Sequence, residues 1–285
     1  MKPTPQSNLE QLVQDANSGD REALERIVQN IQIPIYRMAF RMIGLPEDAE
    51  DAAQEILIKV ITHLGDFRGE SAFFSWVYRI ASNHLINTRK RLMERMGIDY
   101  ELWENLIHVD DAAPGVDAFP EAEKALLIQE VRIGCMQGLL MSLDRNHRMA
   151  VILGEIFEVT SQEGAFILEI SPETFRKRLS RGRKRIEAFM RKNCTLINTK
   201  GPCRCLEQVG RDIATGWIDP EKLHFANYFG SPEEQNRILQ GLSEMEELTR
   251  ITFLLQNYPA LRPPAGFAHI VKDLINAGRF TLLSE

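Results

Sequence analysis

The stretch that constrains the fold most tightly is TSQEGAFILEISPETFRKRLSRGRKRI, residues 160–186. Residues 160–163 have the spacing of a capping box and predict the start of a short helix that ends near Glu169. Ser171-Pro172 then supplies an N-cap and a proline at the first helical position, so a second helix follows almost at once. Together with a preceding helix over residues 144–157, this very short connection predicts a helix-turn-helix.

The helix that begins at Pro172 concentrates positive charge. Residues 172–192 have a net charge of +7, and they directly follow residues 93–171, whose net charge is −10. Such asymmetry indicates a nucleic-acid-binding element, in which the first side chains reach base edges and later ones neutralise phosphates. The alternative is a solvated basic helix with no such role. Apolar residues at helical spacing would hold this helix on its neighbours: Phe175, Leu179 and Ile186.

The composition of the whole chain sets wider bounds. It has 285 residues, of which 44% are hydrophobic and 26% charged, and this balance excludes disordered and fibrous classes and allows two or three globular domains. No run of 18 apolar residues and no apolar signal-peptide core occurs, so we expect a cytoplasmic protein without a membrane segment. The net charge of −6 alone would argue against a nucleic-acid partner, but it averages segments of opposite sign.

The N-terminal third of the sequence predicts a series of helices. Residues 9–43 read as two helices, with Asp20 as an N-cap and a break or kink at Pro34. From Pro46 apolar residues recur at helical spacing, and a second stripe on the same helix is mostly acidic. A polar loop and then an aromatic-rich helix, FFSWVYRIASNHLINTRKRL, follow up to about Leu92.

The aromatic-rich helix has two faces. Phe74 and Tyr78 lie outside its core stripe, beside Arg79 and further polar and cationic residues. Rings that stack on bases, next to cations that pair with phosphates, suit single-stranded DNA. The alternative is that every ring on this helix serves packing. The residues of the core stripe are Phe73, Trp76, Val77, Ile80 and Ala81.

Two further segments differ in composition from these helices. Residues 98–123 contain eight acidic residues and no Lys or Arg, and together with their proline and glycine residues this predicts a linker rather than a packed element. After Lys192 the chain is rich in turn residues. A helical part then follows from Pro232, with interruptions at Pro259 and at Pro263-Pro264.

Two long stretches resemble one family of bacterial proteins. DAEDAAQEILIKVITHLGDFRGESAFFSWVYRIASNHLINTRKR, residues 48–91, is similar to region 2 of the extracytoplasmic-function (ECF) sigma factors. LMSLDRNHRMAVILGEIFEVTSQEGAFILEISPETFRKRLSRGRKRI, residues 140–186, is similar to their region 4. The two stretches stand in the family's order, are separated by the acidic segment, and together span roughly the first two thirds of the chain.

The resemblance implies an all-α fold with two small helical domains. Region 2 would be a helical bundle at residues 1–97 and region 4 a helix-turn-helix domain at residues 125–193. An acidic linker at residues 98–124 would join them and thread toward the active-site channel of the polymerase. A mostly helical C-terminal extension would occupy residues 194–285. The implied function is to bind core RNA polymerase and to direct promoter-specific initiation, with no catalytic activity and no required cofactor.

Three sets of side chains acquire roles from the resemblance. The polymerase stripe would dock on the clamp helices of the largest polymerase subunit; it comprises Asp48, Asp51, Gln54, Glu55 and Ile58. The minus-ten set would melt and read the minus-ten promoter element and capture a flipped base; it comprises Arg68, Ser71, Trp76, Arg79, Asn83 and Asn87. The minus-thirty-five set would read that element as duplex; it comprises Glu173, Thr174, Arg176, Lys177, Arg178 and Arg181.

Two residues depart from the family pattern in the helix-turn-helix. Glu169 stands at the corner where the family usually has glycine, and Gly164 stands where a bulkier helical residue is usual. A residue other than glycine with positive φ is uncommon, so we expect a strained or reshaped turn. Weaker binding to the minus-thirty-five element would follow.

Three cysteines stand just after the basic helix, and their use is open. Cys194, Cys203 and Cys205 would bind zinc if a fourth ligand, His224 or Cys135, folded in, although this spacing is not one of the strong zinc patterns. In a reducing cytosol the alternatives are a thiol redox switch and unpaired structural thiols. An enzyme using these thiols is disfavoured because no catalytic partner motif accompanies them.

The sequence leaves alternatives open for how the chain is regulated and for which partners it has. The resemblance implies core RNA polymerase and promoter DNA, and no membrane. Regulation would come either from a separate anti-sigma factor or from the C-terminal extension itself. The competing function is a helix-turn-helix regulator that acts without polymerase and senses metal or redox state through its C-terminal segment.

Overall fold

The computed structural model describes residues 6–88, 99–107, 119–226, 231–240 and 247–259, together with Leu242 and Met245. Regular structure in these residues is helical, apart from one isolated bridge between Cys194 and Cys203, so the all-α prediction is confirmed. None of the described helices taken singly has the length and apolar character needed to cross a membrane. Only Glu121–Met141 and Arg145–Ile156 meet that test as a pair, and they are bent by 119°.

An N-terminal lobe is formed by four helices. They are α1 (Gln6–Asn17), α2 (Arg21–Ile43), α3 (Pro46–Thr62) and α4 (Phe73–Asn87). Asp20 caps α2 as predicted, because its carboxylate accepts hydrogen bonds from the backbone N–H groups of Glu22 and Ala23. Of the predicted break or kink at Pro34, the break is excluded, since α2 runs through this residue. The buried Ile31 and Ile35 on either side hold the helix against the core, and this burial outweighs the local cost of proline.

The core of this lobe is built from the predicted apolar stripes. Along α4 the fully buried side chains recur every four residues, and they meet the buried stripe of α3. Trp76 and Ile80 on the same helix are only partly buried and pack at the edge of the core. The predicted continuation of α4 to Leu92 lies outside the described residues. The fully buried apolar side chains of α4 are Phe73, Val77, Ala81 and Leu85.

The acidic segment contains a packed helix, α5 (Tyr100–Ile107). The prediction that residues 98–123 form a linker rather than a packed element was therefore wrong for this part, and residues 108–118 lie outside the described residues. The Tyr100 hydroxyl donates to the carbonyl of Leu139 at 2.7 Å, and the Trp103 ring covers Gly138. Burial of these two aromatic rings on one helical face stabilises the packed helix, although the residues around them are acidic.

A second lobe contains the helix-turn-helix. Its helices are α6 (Glu121–Met141), α7 (Arg145–Val151), a π-helical turn (Ile152–Ile156), α8 (Ser161–Leu168) and α9 (Pro172–Asn193). Phe175 and Ile186 are buried and the half-buried Leu179 packs beside them, as predicted for the face that holds α9 in place. Gly182 allows close approach, because a Cβ atom there would lie 2.6 Å from Val151.

The C-terminal extension packs on the rest of the chain. Its described helices are α10 (Cys205–Ala214), α11 (Pro232–Gln240) and α12 (Glu247–Asn257). The buried carboxylate of Glu130 on α6 accepts hydrogen bonds of 2.6, 2.8 and 2.7 Å from the backbone N–H groups of residues 224, 225 and 226. Three such bonds to one buried carboxylate anchor the extension to the second lobe.

The two lobes are joined by a shared core. Buried side chains of α2 and α4 belong to the same apolar cluster as those of α7 and α9. Polar contacts reinforce this joint: the Gln137 amide donates to the carbonyl of Phe40, and the Arg148 guanidinium donates to that of Met42, both at 2.6 Å. The described residues therefore pack as one closed arrangement.

Candidate nucleic-acid interface

Side-chain caps define the starts of both helices of the helix-turn-helix. The Thr160 hydroxyl accepts from the N–H of Glu163, and the Glu163 carboxylate accepts from the N–H of Thr160, which completes the predicted capping box. The Ser171 hydroxyl accepts from the N–H of Thr174 at 3.1 Å, and Pro172 opens α9. These caps fix the entry of α9 and expose its first turns to solvent.

The corner residue Glu169 adopts φ 54° and ψ 43°, the left-handed conformation predicted for it. A side chain other than glycine in this region costs free energy, so the surrounding contacts must hold it there. The other departure has a packing reason. A Cβ atom on Gly164 would lie 2.4 Å from the ring of Phe175, which shows that the small residue makes room for that buried ring.

One side of α9 presents a basic, solvent-facing groove of about 350 Å³. Short-range contacts order its side chains: Lys177 pairs with Glu173 at 2.6 Å, and the guanidinium of Arg178 lies 3.3 Å from the side-chain oxygen of Asn146. A positive surface at the start of an exposed helix favours the phosphates and base edges of a duplex major groove. The lining residues are Glu173, Arg176, Lys177, Ser180, Arg181 and Lys184.

A second concavity lies between α3 and α4 and has a volume of about 590 Å³. We call it the base pocket, after the role proposed for it below. An indole ring, an imidazole and two exposed amides face it from α4, and an ammonium and a second imidazole face it from the C-terminal end of α3. This mixture offers a stacking surface together with hydrogen-bonding groups, which is what an unstacked base requires. The lining residues are Lys59, His63, Asp66, Trp76, Ile80, Asn83, His84, Asn87 and Thr88.

The largely buried His84 forms one wall of the base pocket. The Lys59 ammonium donates to its Nδ1 at 2.8 Å, so this nitrogen acts as the acceptor. On the other side of the ring, Nε2 lies 3.3 Å from the Thr88 hydroxyl and 3.5 Å from the Glu55 carboxylate. The pocket is thereby connected to the exposed acidic face of α3.

Comparison with known proteins assigns the family. The family model for Sigma-70 region 2 matches residues 27–94, and that for Sigma-70 region 4 matches residues 133–186. The RNA polymerase sigma-H factor of Pseudomonas aeruginosa is 30% identical over 184 residues, which are 62% of this chain and 91% of that protein. The ECF RNA polymerase sigma factor SigW of Bacillus subtilis is 29% identical over 63% of this chain and 95% of its own. The chain belongs to the ECF sigma factors.

One further relative and one solved structure are also similar to this chain. The ECF RNA polymerase sigma-E factor of Escherichia coli K12 is 29% identical over 62% of this chain and 91% of that protein. A solved structure of CnrH in complex with the cytosolic domain of CnrY covers 63% of this chain, with a TM-score of 0.45 and 22% sequence identity. The matched regions lie inside the predicted ranges 1–97 and 125–193, whose boundaries stay predictions.

The function predicted from the sequence is confirmed by these matches. The chain is a sigma factor that directs RNA polymerase to promoters, and its helix-turn-helix lies in region 4. A regulator that acts without polymerase is not favoured, because region 2 is matched as well as region 4. Sigma factors are transcription initiation factors without a catalytic activity, which fits the expectation for this chain.

The structure divides the minus-ten set of this sigma factor into three groups. Trp76, Asn83 and Asn87 come together in the base pocket. Arg68 and Ser71 lie in the loop before α4, where Arg68 is exposed. Arg79 lies on another face of α4, where it forms an ion pair with Glu169 and its guanidinium stacks 5.2 Å from the centre of the Phe166 ring.

The neighbouring ring of Tyr78 is also engaged by region 4. It packs edge-to-face against Phe157 with 5.1 Å between ring centres. The expectation that Tyr78 is available to stack on bases therefore does not hold in this arrangement. Lys59, His63 and His84 were not predicted as pocket residues; the place of Lys59 and His63 beside Trp76 depends on how α3 crosses α4.

The polymerase stripe runs along α3 as predicted. Asp51 and Glu55 are exposed and Asp48, Gln54 and Ile58 are half-buried, while the opposite side of the helix is buried in the core. The minus-thirty-five set is likewise accessible along α9. Both surfaces thus face solvent while the two lobes are packed together.

The cysteines of the extension converge with a fourth from α6. Burial raises the pKa of the Cys135 thiol well above its usual range, and the charges of Cys203, Cys194 and Cys205 add to this effect. Burial likewise raises the pKa of Cys194 to about 11 and that of Cys203 to about 12. In the described part of the chain, however, no three His, Cys, Asp or Glu side chains are placed to hold one metal ion.

Proposed function

We propose that this sigma factor recognises its promoter through two separate surfaces. The minus-thirty-five set on α9 would read the duplex, and the base pocket would hold a base from the melted minus-ten element. The observation that carries the second part is the pocket of about 590 Å³ lined by Trp76, Asn83 and Asn87. All three residues belong to the minus-ten set that the family resemblance implies.

The chemistry of the base pocket suits a flipped base. Flipping costs a few kcal/mol of stacking and pairing, and stacking on one aromatic ring returns about 1–3 kcal/mol per base. Trp76 offers that ring, and it is held in place by Phe67 and Phe73, whose ring centres lie 5.6 and 5.9 Å away. The exposed amides of Asn83 and Asn87 would hydrogen-bond the base edge, and Lys59 would attract the adjoining phosphate.

Replacing Trp76 with alanine is expected to weaken binding of the holoenzyme to a single-stranded minus-ten oligonucleotide by tenfold or more, because a stacking surface is lost. Fluorescence anisotropy with a labelled oligonucleotide measures this. Trp217→Ala is the matched control, since Trp217 lies on the extension, is 40% exposed and does not line the base pocket. Asn83→Ala tests the pocket without disturbing the core and is expected to weaken binding severalfold. Wild-type affinity in both pocket variants would contradict the assignment.

The polymerase stripe would dock the sigma factor on core polymerase. Its exposed carboxylates suit a partner surface that carries Lys and Arg, and the half-buried Ile58 supplies an apolar contact beside them.

We propose that the protein acts in the cytoplasm, where RNA polymerase transcribes, and has no catalytic activity of its own. The position of α12 against both lobes favours regulation by the extension over a requirement for a separate anti-sigma factor.

Zinc binding by the cysteines stays a hypothesis. Cys135 is a better candidate for the fourth ligand than His224, because its thiol lies within electrostatic reach of the three others. Burial raises the pKa values of Cys194 and Cys203, so a metal would have to displace thiol protons and would bind less well as the pH falls. Since no three such side chains in the described part of the chain are placed to hold one ion, we expect protein purified with zinc present to contain no zinc by elemental mass spectrometry. One zinc per chain that is lost in Cys135→Ser would instead establish the site.

A further inference from the structure

Two cysteines just beyond α9 are paired across the isolated bridge. Cys194 follows the last residue of α9, and the bridge sets it in parallel beside Cys203. The N–H of Cys203 donates to the carbonyl of Asn193 at 2.9 Å, and the N–H of Thr195 donates to the carbonyl of Cys203 at 3.3 Å. These two backbone hydrogen bonds fix the register of the pair.

The bridge gives these two side chains the geometry that a disulfide needs. Directly paired residues of neighbouring strands lie about 4.8 Å apart, and in a parallel pair their side chains point to the same face. A disulfide joins Cα atoms that are about 4.4–6.8 Å apart, so the bond requires no movement of the backbone. Both thiols are free, and both residues are half-buried, which leaves part of each open to a small oxidant.

The chain between the two cysteines is held in a compact turn. The Thr195 hydroxyl donates to the carbonyl of Cys203 at 2.8 Å. Gly201 allows the close return of the chain, because a Cβ atom there would lie 2.6 Å from the carbonyl oxygen of Asn193. The reduced protein therefore already holds the cysteines side by side, and little further ordering is needed to join them.

The surroundings favour Cys194 as the attacking thiol. Burial raises its pKa to about 11, but two backbone N–H groups and one guanidinium favour its thiolate. Burial raises the pKa of Cys203 to about 12, where a carboxylate and neighbouring sulfurs outweigh one guanidinium. Cys194 is thus the thiol whose ionised form is held by hydrogen-bond donors, and the thiolate is the form that attacks an oxidant. The groups that face Cys194 are Cys205, the N–H groups of Leu196 and Ile197, and Arg132; those that face Cys203 are Cys205, Cys194, Asp212 and Arg211.

We propose that Cys194 and Cys203 are a peroxide-sensitive pair that oxidises to an intramolecular disulfide at the end of α9. The Cys194 thiolate attacks one oxygen of hydrogen peroxide, the O–O bond breaks, and a sulfenic acid and a hydroxide ion form. The Cys203 thiolate then attacks the Cys194 sulfur and displaces a second hydroxide ion. The two thiol protons convert both hydroxide ions to water, so two thiols lose two electrons and one peroxide gains them. This site is independent of the promoter recognition proposed above.

The disulfide would lie beside a buried junction of three segments. The fully buried side chain of Asn193 donates to the carboxylate of Glu104 on α5 at 3.2 Å and to the carbonyl of Phe189 at 3.1 Å. Closing the loop over residues 194–203 restricts the unfolded chain and leaves the folded junction in place. We therefore expect oxidation to lower the equilibrium constant for unfolding by about tenfold or more.

The test treats the full chain with excess hydrogen peroxide at mildly alkaline pH, where the thiolate fraction is larger. We expect two of the four thiols to disappear in a thiol titration, and peptide mass spectrometry to find Cys194 linked to Cys203 until a reductant is added. In Cys203→Ser no link can form, and the sulfenic acid on Cys194 should be trapped by a 1,3-diketone. Cys135→Ser and Cys205→Ser are the matched controls, and both should form the link as the wild type does.

Urea denaturation of the oxidised and reduced chains measures the effect on stability. The expected gain should be present in wild type and absent in peroxide-treated Cys203→Ser. Retention of all four thiols, or a link between any other pair of cysteines, would overturn the proposal. A Cys194–Cys203 bond that left the unfolding equilibrium unchanged would refute its role at the junction.

Discussion

Replacing both Arg176 and Lys177 with alanine is expected to lower transcription from a promoter with an intact minus-thirty-five element about 100-fold. Both side chains are exposed at the start of α9, where they line the basic groove. Each contact to a base edge or phosphate contributes about 1–3 kcal/mol to binding. Each lost phosphate contact also lowers by about one the slope of the logarithm of affinity against the logarithm of salt concentration. Run-off transcription and anisotropy at several salt concentrations measure the two effects.

A matched variant separates this effect from a general loss of positive charge. Lys200→Ala removes an exposed cation just beyond α9 and should leave transcription within twofold of wild type. The loss in the double variant should also shrink on a template whose minus-thirty-five element has been scrambled. An equal loss on both templates would mean that these residues do not read that element.

Replacing Arg148 with alanine is expected to reduce the free energy of unfolding by about 3–5 kcal/mol. The side chain is 2% exposed, and its guanidinium donates to four backbone carbonyls at 2.6–3.1 Å. Removing it leaves these carbonyl acceptors in the interior without that donor, and each buried acceptor left unsatisfied costs about 1–3 kcal/mol. Urea denaturation followed by circular dichroism gives the change. The acceptors are Leu140, Met42, Met141 and Leu143.

Two control variants bracket the Arg148 result. Arg148→Lys keeps the charge but not the forked donors, so its stability should lie between wild type and the alanine variant. Arg26→Ala removes an exposed guanidinium from α2 and should change stability by no more than about 0.5 kcal/mol. If Arg148→Ala lost less than about 1 kcal/mol, the buried network would not be holding the end of α2 to region 4.

Local chemistry made the helix starts predictable from sequence. Asp20, Thr160 and Ser171 were all identified as caps, and each caps the expected helix. A cap depends on residues within three positions, so one sequence contains the whole signal. The strained turn at Glu169 was expected from the family resemblance instead, because this residue stands where the family usually has glycine.

Long-range contacts explain what the sequence did not reveal. Nothing near Glu169 indicates that its partner is Arg79, 90 residues earlier, and the pocket wall at His84 depends on the crossing of α3 and α4. Composition predicted a linker at residues 100–107, where the structure has a packed helix. Burial of two aromatic rings on one face stabilises this helix despite its acidic neighbours. The spacing of Trp76, Asn83 and Asn87, in contrast, already places them along one side of α4.

Promoter-specific initiation by this sigma factor is tested most directly by transcription with the full chain and core RNA polymerase on genomic DNA fragments, followed by mapping of transcript starts. We expect start sites that appear only when the sigma factor is added, preceded by one common minus-ten and one common minus-thirty-five sequence. Transcripts no different from those of core polymerase alone would contradict it.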